Sequence, residues 1–218
     1  MQLYLFSTPG EPDLTDILSA AREILAGVRE PLVAYLPAAA EDRHYVRETK
    51  NAFRGLAEVR AIKPEIHLIT HIRTILDRAS LLYIPGGNTY LAAHRLHSAE
   101  LVADIRRRIL LGLPLVAFSA GTVLCGEDIL TSNDTNTYSC TNFTGFRLVP
   151  VNLNVHYPSV DGEERRVRDA RLQAYASSHN RIVLALEDGA CLLVTDHRME
   201  APRGMIWKFD GQNKERFG

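Results

Sequence analysis

Short apolar runs alternate along this chain with longer stretches in which apolar side chains return every three or four positions. The short runs have the make-up of buried strands, and the longer stretches have the spacing of helices that cover a sheet with one face. Strands are predicted at Gln2–Phe6, Leu32–Leu36, Val59–Ile62, Leu81–Ile84, Leu115–Phe118, Leu148–Val155 and Ile182–Leu186. Pro150 cannot donate to a strand ladder, so the sixth run should be irregular or peripheral. Helices are predicted at Leu14–Leu25, Asp42–Leu56, Thr70–Ala79, Tyr90–Leu96, Ala99–Leu110 and Glu164–Ala176. Parallel strands need such crossovers, so the pattern implies an α/β fold, a mostly parallel sheet flanked by helices on both faces. From Gly189 the pattern changes. Cys191–Val194 and Met205–Phe209, separated by the turn-rich Thr195–Gly204, read as a C-terminal β-hairpin. No internal repeat or linker-like shift in composition divides residues 1–218, which read as a single domain.

Composition narrows the setting. A chain of 218 residues that is 46% hydrophobic can bury a full core without covalent staples. Cys125, Cys140 and Cys191 form an odd set without metal-ligand spacing, which implies reduced thiols in a cytoplasmic protein. Met1–Ser7 lacks the basic leader and long apolar core of a signal peptide, and no stretch approaches a membrane span, so a cytoplasmic location with no membrane partner is expected. The net charge of -1 and pI near 6.7 give no general attraction to nucleic acid or anionic lipid. Arg106–Arg108 and Glu163–Arg166 read as solvated helix faces.

Ligands of open α/β sheets bind at the carboxyl ends of strands, so polar residues there carry the chemical interest. The run Leu115–Phe118 stops at Ser119 and leaves through Ala120-Gly121. A serine on such a turn has its hydroxyl above the sheet edge, with the first helical amides beside it. The competing reading is a helix-capping serine, since Ala117 replaces the first glycine of the usual G-x-S-x-G turn. Leu81–Ile84 ends in Pro85-Gly86-Gly87-Asn88-Thr89, where glycines let backbone amides approach a ligand and Asn88 or Thr89 can cap the next helix. A plain tight turn would look the same. The next strand ends at His156. Of the eight histidines, His44, His67, His71, His94, His97, His179 and His197 fall in helical patterns, at element starts or in loops, whereas His156 closes an apolar strand downstream of the serine. His67 and His71, or His94 and His97, have metal-pair spacing but no E-x-x-H companion and no nearby cysteine, so neither a metal nor another cofactor is expected. An imidazole base needs an acid to fix its tautomer. Asp188 follows a strand and Asp134 lies in the polar loop Thr131–Thr137; Asp134 would give the chain order Ser, Asp, His, but a strand end holds a group to closer tolerance, which favours Asp188. Glu187 should point elsewhere by strand alternation.

Taken in order, Pro85-Gly86-Gly87-Asn88-Thr89, Ser119-Ala120-Gly121, Ser132-Asn133-Asp134, His156 in Asn-x-His, Gly162-Glu163-Glu164-Arg165 and Asp188-Gly189 resemble the peptidase E family. These aspartyl dipeptidases are serine peptidases related to cyanophycinase, built on a flavodoxin-like, class I glutamine amidotransferase-like fold. The resemblance implies Ser119 as nucleophile, His156 as base and Asp188 as the third member, with the Gly87 and Ala120 amides as oxyanion hole. Family members often carry glutamate before that glycine where this chain has aspartate, so Asp134 stays a rival. The implied substrate is a dipeptide or short peptide with an N-terminal aspartate. Its side chain would be gripped by Arg165 and its amine met by Asp134, with Asn88 alongside; no cofactor is implied, and the chain would be a monomer or homodimer. Asp161-Gly162-Glu163-Glu164 resembles a capping box, which puts Arg165 in a first helical turn, where the helix dipole disfavours a cation. Its planar fork suits a carboxylate. A related hydrolase acting on an aspartyl polymer, another N-terminal residue or an ester, and a non-catalytic binding protein, are the alternatives. A glutamine amidotransferase is disfavoured, because serine stands where that chemistry uses a thiolate and Cys125 comes six residues too late.

Overall fold

A computed structural model of the chain describes residues 1–10, 14–39, 43–196 and 198–218. The N-terminal strand β1 (Gln2–Phe6) shows how the apolar runs are used. Side chains alternate across a strand. Leu3 and Leu5 therefore enter one buried cluster and Tyr4 and Phe6 another. The same division holds in β2 (Leu32–Tyr35), β4 (Leu81–Ile84) and β5 (Leu115–Phe118), so apolar residues are wanted on both faces and the runs are continuous. One face is covered by α1 (Thr15–Ile24) and by Phe53 just beyond α2 (Arg43–Ala52). The other is covered by α3 (Ile69–Arg78), α4 (Thr89–Ser98) and α5 (Val102–Leu110). With β3 (Glu58–Ala61) at one edge, these strands lie in the order β3-β2-β4-β5-β1 and are all parallel. The fold is therefore α/β, with helices on both faces of a mostly parallel sheet.

After β5 come the short α6 (Ala120–Val123), then β6 (Asn152–Tyr157), α7 (Glu163–His179) and β7 (Val183–Glu187). The chain closes with β8 (Cys191–Thr195), β9 (Met199–Arg203), β10 (Ile206–Phe209) and β11 (Lys214–Arg216). Here the structure departs from expectation in two ways. The strands do not form one sheet: β6 and β7 pair in parallel inside a separate four-stranded sheet, β11-β10-β7-β6. And the predicted hairpin has a different partner. Cys191–Thr195 does turn back on itself, but against Met199–Arg203, while Ile206–Phe209 crosses to lie antiparallel to β7. β8 then extends the first sheet antiparallel to β1. β6 is an edge strand that begins two residues after Pro150, in keeping with the restriction proline imposes. Asp42, the predicted start of the second helix, and His197 lie outside the described residues.

The second sheet buries apolar residues on both of its faces. Leu153, Val155, Leu184, Leu186 and Ile206 join the main core, whereas Val183, Ala185 and Phe209 pack with Leu172 and Ala176 of α7. The chain passes between the sheets through Asp188 and Gly189, from the end of β7 to the start of β8. The carboxyl ends of β1, β5, β6 and β7 converge at this junction.

Seating α6 at the end of β4 requires a close backbone approach. A Cβ at Gly121 would stand 2.3 Å from the Ile84 carbonyl oxygen, a main-chain atom held in the central sheet. Gly121→Ala should therefore lower the unfolding free energy by about 1–3 kcal/mol, read from the urea midpoint at constant slope. An unchanged midpoint would mean that α6 is not pressed on β4.

Candidate active site

Ser119 leaves β5 with φ 51° and ψ -118°, a region that side-chain-bearing residues rarely occupy. Two groups hold the turn: the Ser119 amide donates to the Phe6 carbonyl at 3.0 Å, and Thr122 Oγ1 donates to the same oxygen at 2.8 Å. The hydroxyl does not cap α6. It lies 3.0 Å from His156 Nε2 instead. The structure thus decides against a capping serine. The Pro85–Thr89 loop presses on the same turn, since a Cβ on Gly86 would lie 3.1 Å from Ser119 Cβ. Gly87 has φ +127°, and a side chain there would strike the Ala39 carbonyl oxygen at 2.1 Å, so this position accepts only glycine. Among the described residues, neither the Gly87 amide nor the Ala120 amide has a hydrogen-bond partner.

His156 also has positive φ, 52°. The register between β6 and β7 shifts between Asn154 and Tyr157, so a bulge carries the histidine and turns its side chain out of the sheet. Its Nδ1 lies 2.7 Å from Asp188 Oδ1. With a carboxylate at Nδ1 the neutral ring carries its proton there, which leaves Nε2 to accept from the Ser119 hydroxyl. Asp134 does not reach this relay. Its Oδ2 accepts from the Thr89 amide at 2.7 Å, the Thr89 hydroxyl at 2.6 Å and the Ser132 hydroxyl at 3.1 Å, an anion seated at the N-terminus of α4. Its Oδ1 has no hydrogen bond among the described residues. Asn88 is committed to the same helix end: its Oδ1 accepts from the Leu91 amide at 3.0 Å.

Arg165 sits in the first turn of α7 and is buried. Nε donates to the Tyr157 hydroxyl at 3.2 Å and Nη1 to the Ser159 carbonyl at 3.1 Å, with the exposed Asp161 carboxylate also 3.1 Å from Nη1. The guanidinium is stacked near Tyr157 and Trp207, 5.3 and 4.8 Å from their ring centroids. Trp207 Nε1 in turn donates to Glu187 Oε1 at 2.8 Å, which holds that carboxylate away from the relay. Burial, helped by the hydrogen bond to Asp169, pushes the Tyr157 phenol above its ordinary range.

Some contributors escaped the sequence reading. Ser7 Oγ contacts both the His156 amide and Asp188, and Arg168 Nη1 reaches the His156 carbonyl at 3.4 Å. Arg171 holds the polar loop through the Ser132 carbonyl at 2.9 Å and Asn133 Oδ1 at 2.6 Å. Ser7 ends an apolar strand just as Ser119 does, so the same signal could have found it. The arginines offered none, because a charged helix face looks alike whether it is solvated or docked.

Among the described residues no group of three or more histidine, cysteine or acidic side chains could hold a metal ion, and no helix is long and apolar enough to cross a membrane. The sequence profile of peptidase family S51 matches residues 3–201. Peptidase E of Nostoc sp. (strain PCC 7120) is 31% identical over 174 residues, covering 75% of this chain and 69% of that protein. A protein of Drosophila melanogaster named probable alpha-aspartyl dipeptidase is 31% identical over 147 residues, covering 64% of this chain and 61% of its own length. A peptidase from an acI-B1 Actinobacterium has a similar fold, with a TM-score of 0.71 at 16% identity over 99% of this chain and 93% of that one.

The thiols stand apart from the relay. Cys125, Cys140 and Cys191 are free and buried; burial pushes all three thiols up, that of Cys191 to about 12. The thiolate is the reactive form. Iodoacetamide at pH 8 should therefore leave the mass of the native protein unchanged, and rapid alkylation of any cysteine would contradict this burial.

Proposed function

This chain belongs to peptidase family S51, and we propose that it is a serine dipeptidase acting on short peptides with an N-terminal aspartate. The observation that carries the reading is the continuous path from Ser119 Oγ through the His156 ring to Asp188, at 3.0 and 2.7 Å. In the reaction, Ser119 Oγ attacks the carbonyl carbon of the first residue as its proton passes to His156 Nε2. The oxyanion faces the unpartnered Gly87 and Ala120 amides, which are fixed before the charge develops. His156 then hands its proton to the leaving amine. Water, deprotonated by the same ring, releases the acyl group. Asp188 steadies the imidazolium in both halves of the cycle.

The substrate preference rests on two further groups. Arg165 already takes the Asp161 carboxylate, whose side chain is 95% exposed and free to yield to a substrate carboxylate. Tyr157, which Arg165 holds, directly follows the base in β6. Asp134 Oδ1 offers an acceptor to the substrate ammonium from the loop beside Gly87. The name of the Drosophila relative supports the aspartyl preference.

Hydrolysis of Asp-Leu, Ala-Leu and Glu-Leu by the native protein and variants tests this reading. Asp-Leu should be preferred, and Ser119→Ala should lower kcat/KM by about 10⁴-fold or more. Activity surviving that substitution would refute the mechanism. Arg165→Lys keeps the charge but loses the fork, and should reduce Asp-Leu cleavage at least about 10-fold more than Ala-Leu cleavage. Equal losses on all three substrates would assign Arg165 to scaffolding instead.

A further inference from the structure

Ser7 is fully buried, at 0% exposure, at the carboxyl end of β1. A hydroxyl has one proton to give and two lone pairs to offer. Here the His156 amide donates to Ser7 Oγ at 2.8 Å, and Ser7 Oγ donates to Asp188 Oδ1 at 3.1 Å. The donor in the first bond fixes where the hydroxyl proton must go in the second. Asp188 Oδ1 is thus shared between Ser7 and His156 Nδ1, and the carboxylate has no lysine or arginine partner among the described residues. Its side chain is 64% exposed and that of His156 is 44% exposed. Two partly solvated side chains form the end of the relay, and one buried hydroxyl touches both residues. The His156 amide belongs to a residue at φ 52°, so the same hydroxyl also holds the bulged backbone that aims the ring. Ser7 is itself anchored: its amide donates to the Ala190 carbonyl at 3.1 Å, and Gly189, next to Asp188, donates to Thr8 Oγ1 at 3.0 Å.

We infer that Ser7 is a positioning residue that clasps the base to its acid, acting through His156 and Asp188 rather than on substrate. The inference rests on the Ser119, His156 and Asp188 relay proposed above. Without the clasp the carboxylate rotates toward water and the ring loses its aim on Ser119. Loss of alignment of this size costs on the order of 10²-fold in rate and leaves ground-state binding alone.

The test is kinetic and spectroscopic on Ser7→Ala and Ser7→Thr, with Ser119→Ala as the reference. For Ser7→Ala, kcat on Asp-Leu should fall roughly 10- to 100-fold with KM within about twofold, and Ser7→Thr, which retains the hydroxyl, should recover most of the loss. In the native protein and in Ser119→Ala, proton NMR should show a low-field His156 Nδ1–H resonance, which Ser7→Ala broadens or removes. A Ser7→Ala enzyme with native kcat and an intact resonance overturns the inference. So does an alanine variant that loses rate only through a raised KM. If Ser7→Ala fails to fold, hydrogen exchange in the native protein decides. The His156 amide should be protected far beyond that of the solvent-facing Val160, and equal exchange rates overturn the clasp. An active Ser119→Ala would instead defeat the relay itself, so the two failures are distinct.

Discussion

The short segment Phe6-Ser7-Thr8, where β1 ends, is the constraint on which the candidate site depends. Phe6 offers one carbonyl to the Ser119 amide and to Thr122, which fixes the turn that raises the serine. Ser7 reaches His156 and Asp188, and Thr8 accepts from Gly189. Three segments distant in sequence are therefore registered against one strand end, and that strand is buried on both faces in the middle of the first sheet. The strand end that makes these hydrogen bonds is itself held in place by packing. β1 cannot shift without moving Leu3, Leu5, Tyr4 and Phe6 out of two cores at once.

The site also lies where the two sheets meet. Ser119 comes from the parallel sheet, while His156 and Asp188 come from the ends of the parallel pair β6 and β7 in the smaller sheet. Both Ser119 and His156 adopt positive φ, a conformation that costs about 1–3 kcal/mol for each residue and persists only where its surroundings insist on it. Here the insistence is visible. The Ser119 turn is fixed by Phe6 and by the seating of Gly121 on Ile84, and the His156 bulge by Ser7 and the packing of Val155 and Tyr157 on opposite faces of β6. The geometry on which the proposed acyl transfer rests is thus a by-product of where well-buried strands are obliged to stop.

Much of this was legible in the chain. Polar residues that terminate apolar runs stand out: Ser119 and His156 do so directly and Asp188 one residue later, and the structure brings the three together. Seven strands, the sixth of them shifted from Leu148–Val155 to Asn152–Tyr157, and six helices follow from periodicity because each is a local property of its own residues. The sheet partition was not legible, because pairing is non-local: β10 alternates equally well beside β7 or β8, and nothing within Met205–Phe209 distinguishes them. The competition between Asp134 and Asp188 likewise needed coordinates, since chain order favoured one and strand geometry the other. Asp134 turned out to serve the N-terminus of α4. Arg165 could be placed in a first helical turn by its acidic neighbours, but its position against Tyr157 and Trp207 depends on β10 being where the sequence pattern did not put it.

A Ser119 nucleophile activated by His156 and Asp188 is open to covalent trapping. Native protein treated with a fluorophosphonate and mapped by tandem mass spectrometry should carry a single adduct, on Ser119, whose rate of formation falls sharply in His156→Ala and in Asp188→Asn but is little changed in Asp134→Asn. Labelling that spares Ser119, or that proceeds at the native rate without His156, would rule out Ser119 as a nucleophile activated by that histidine.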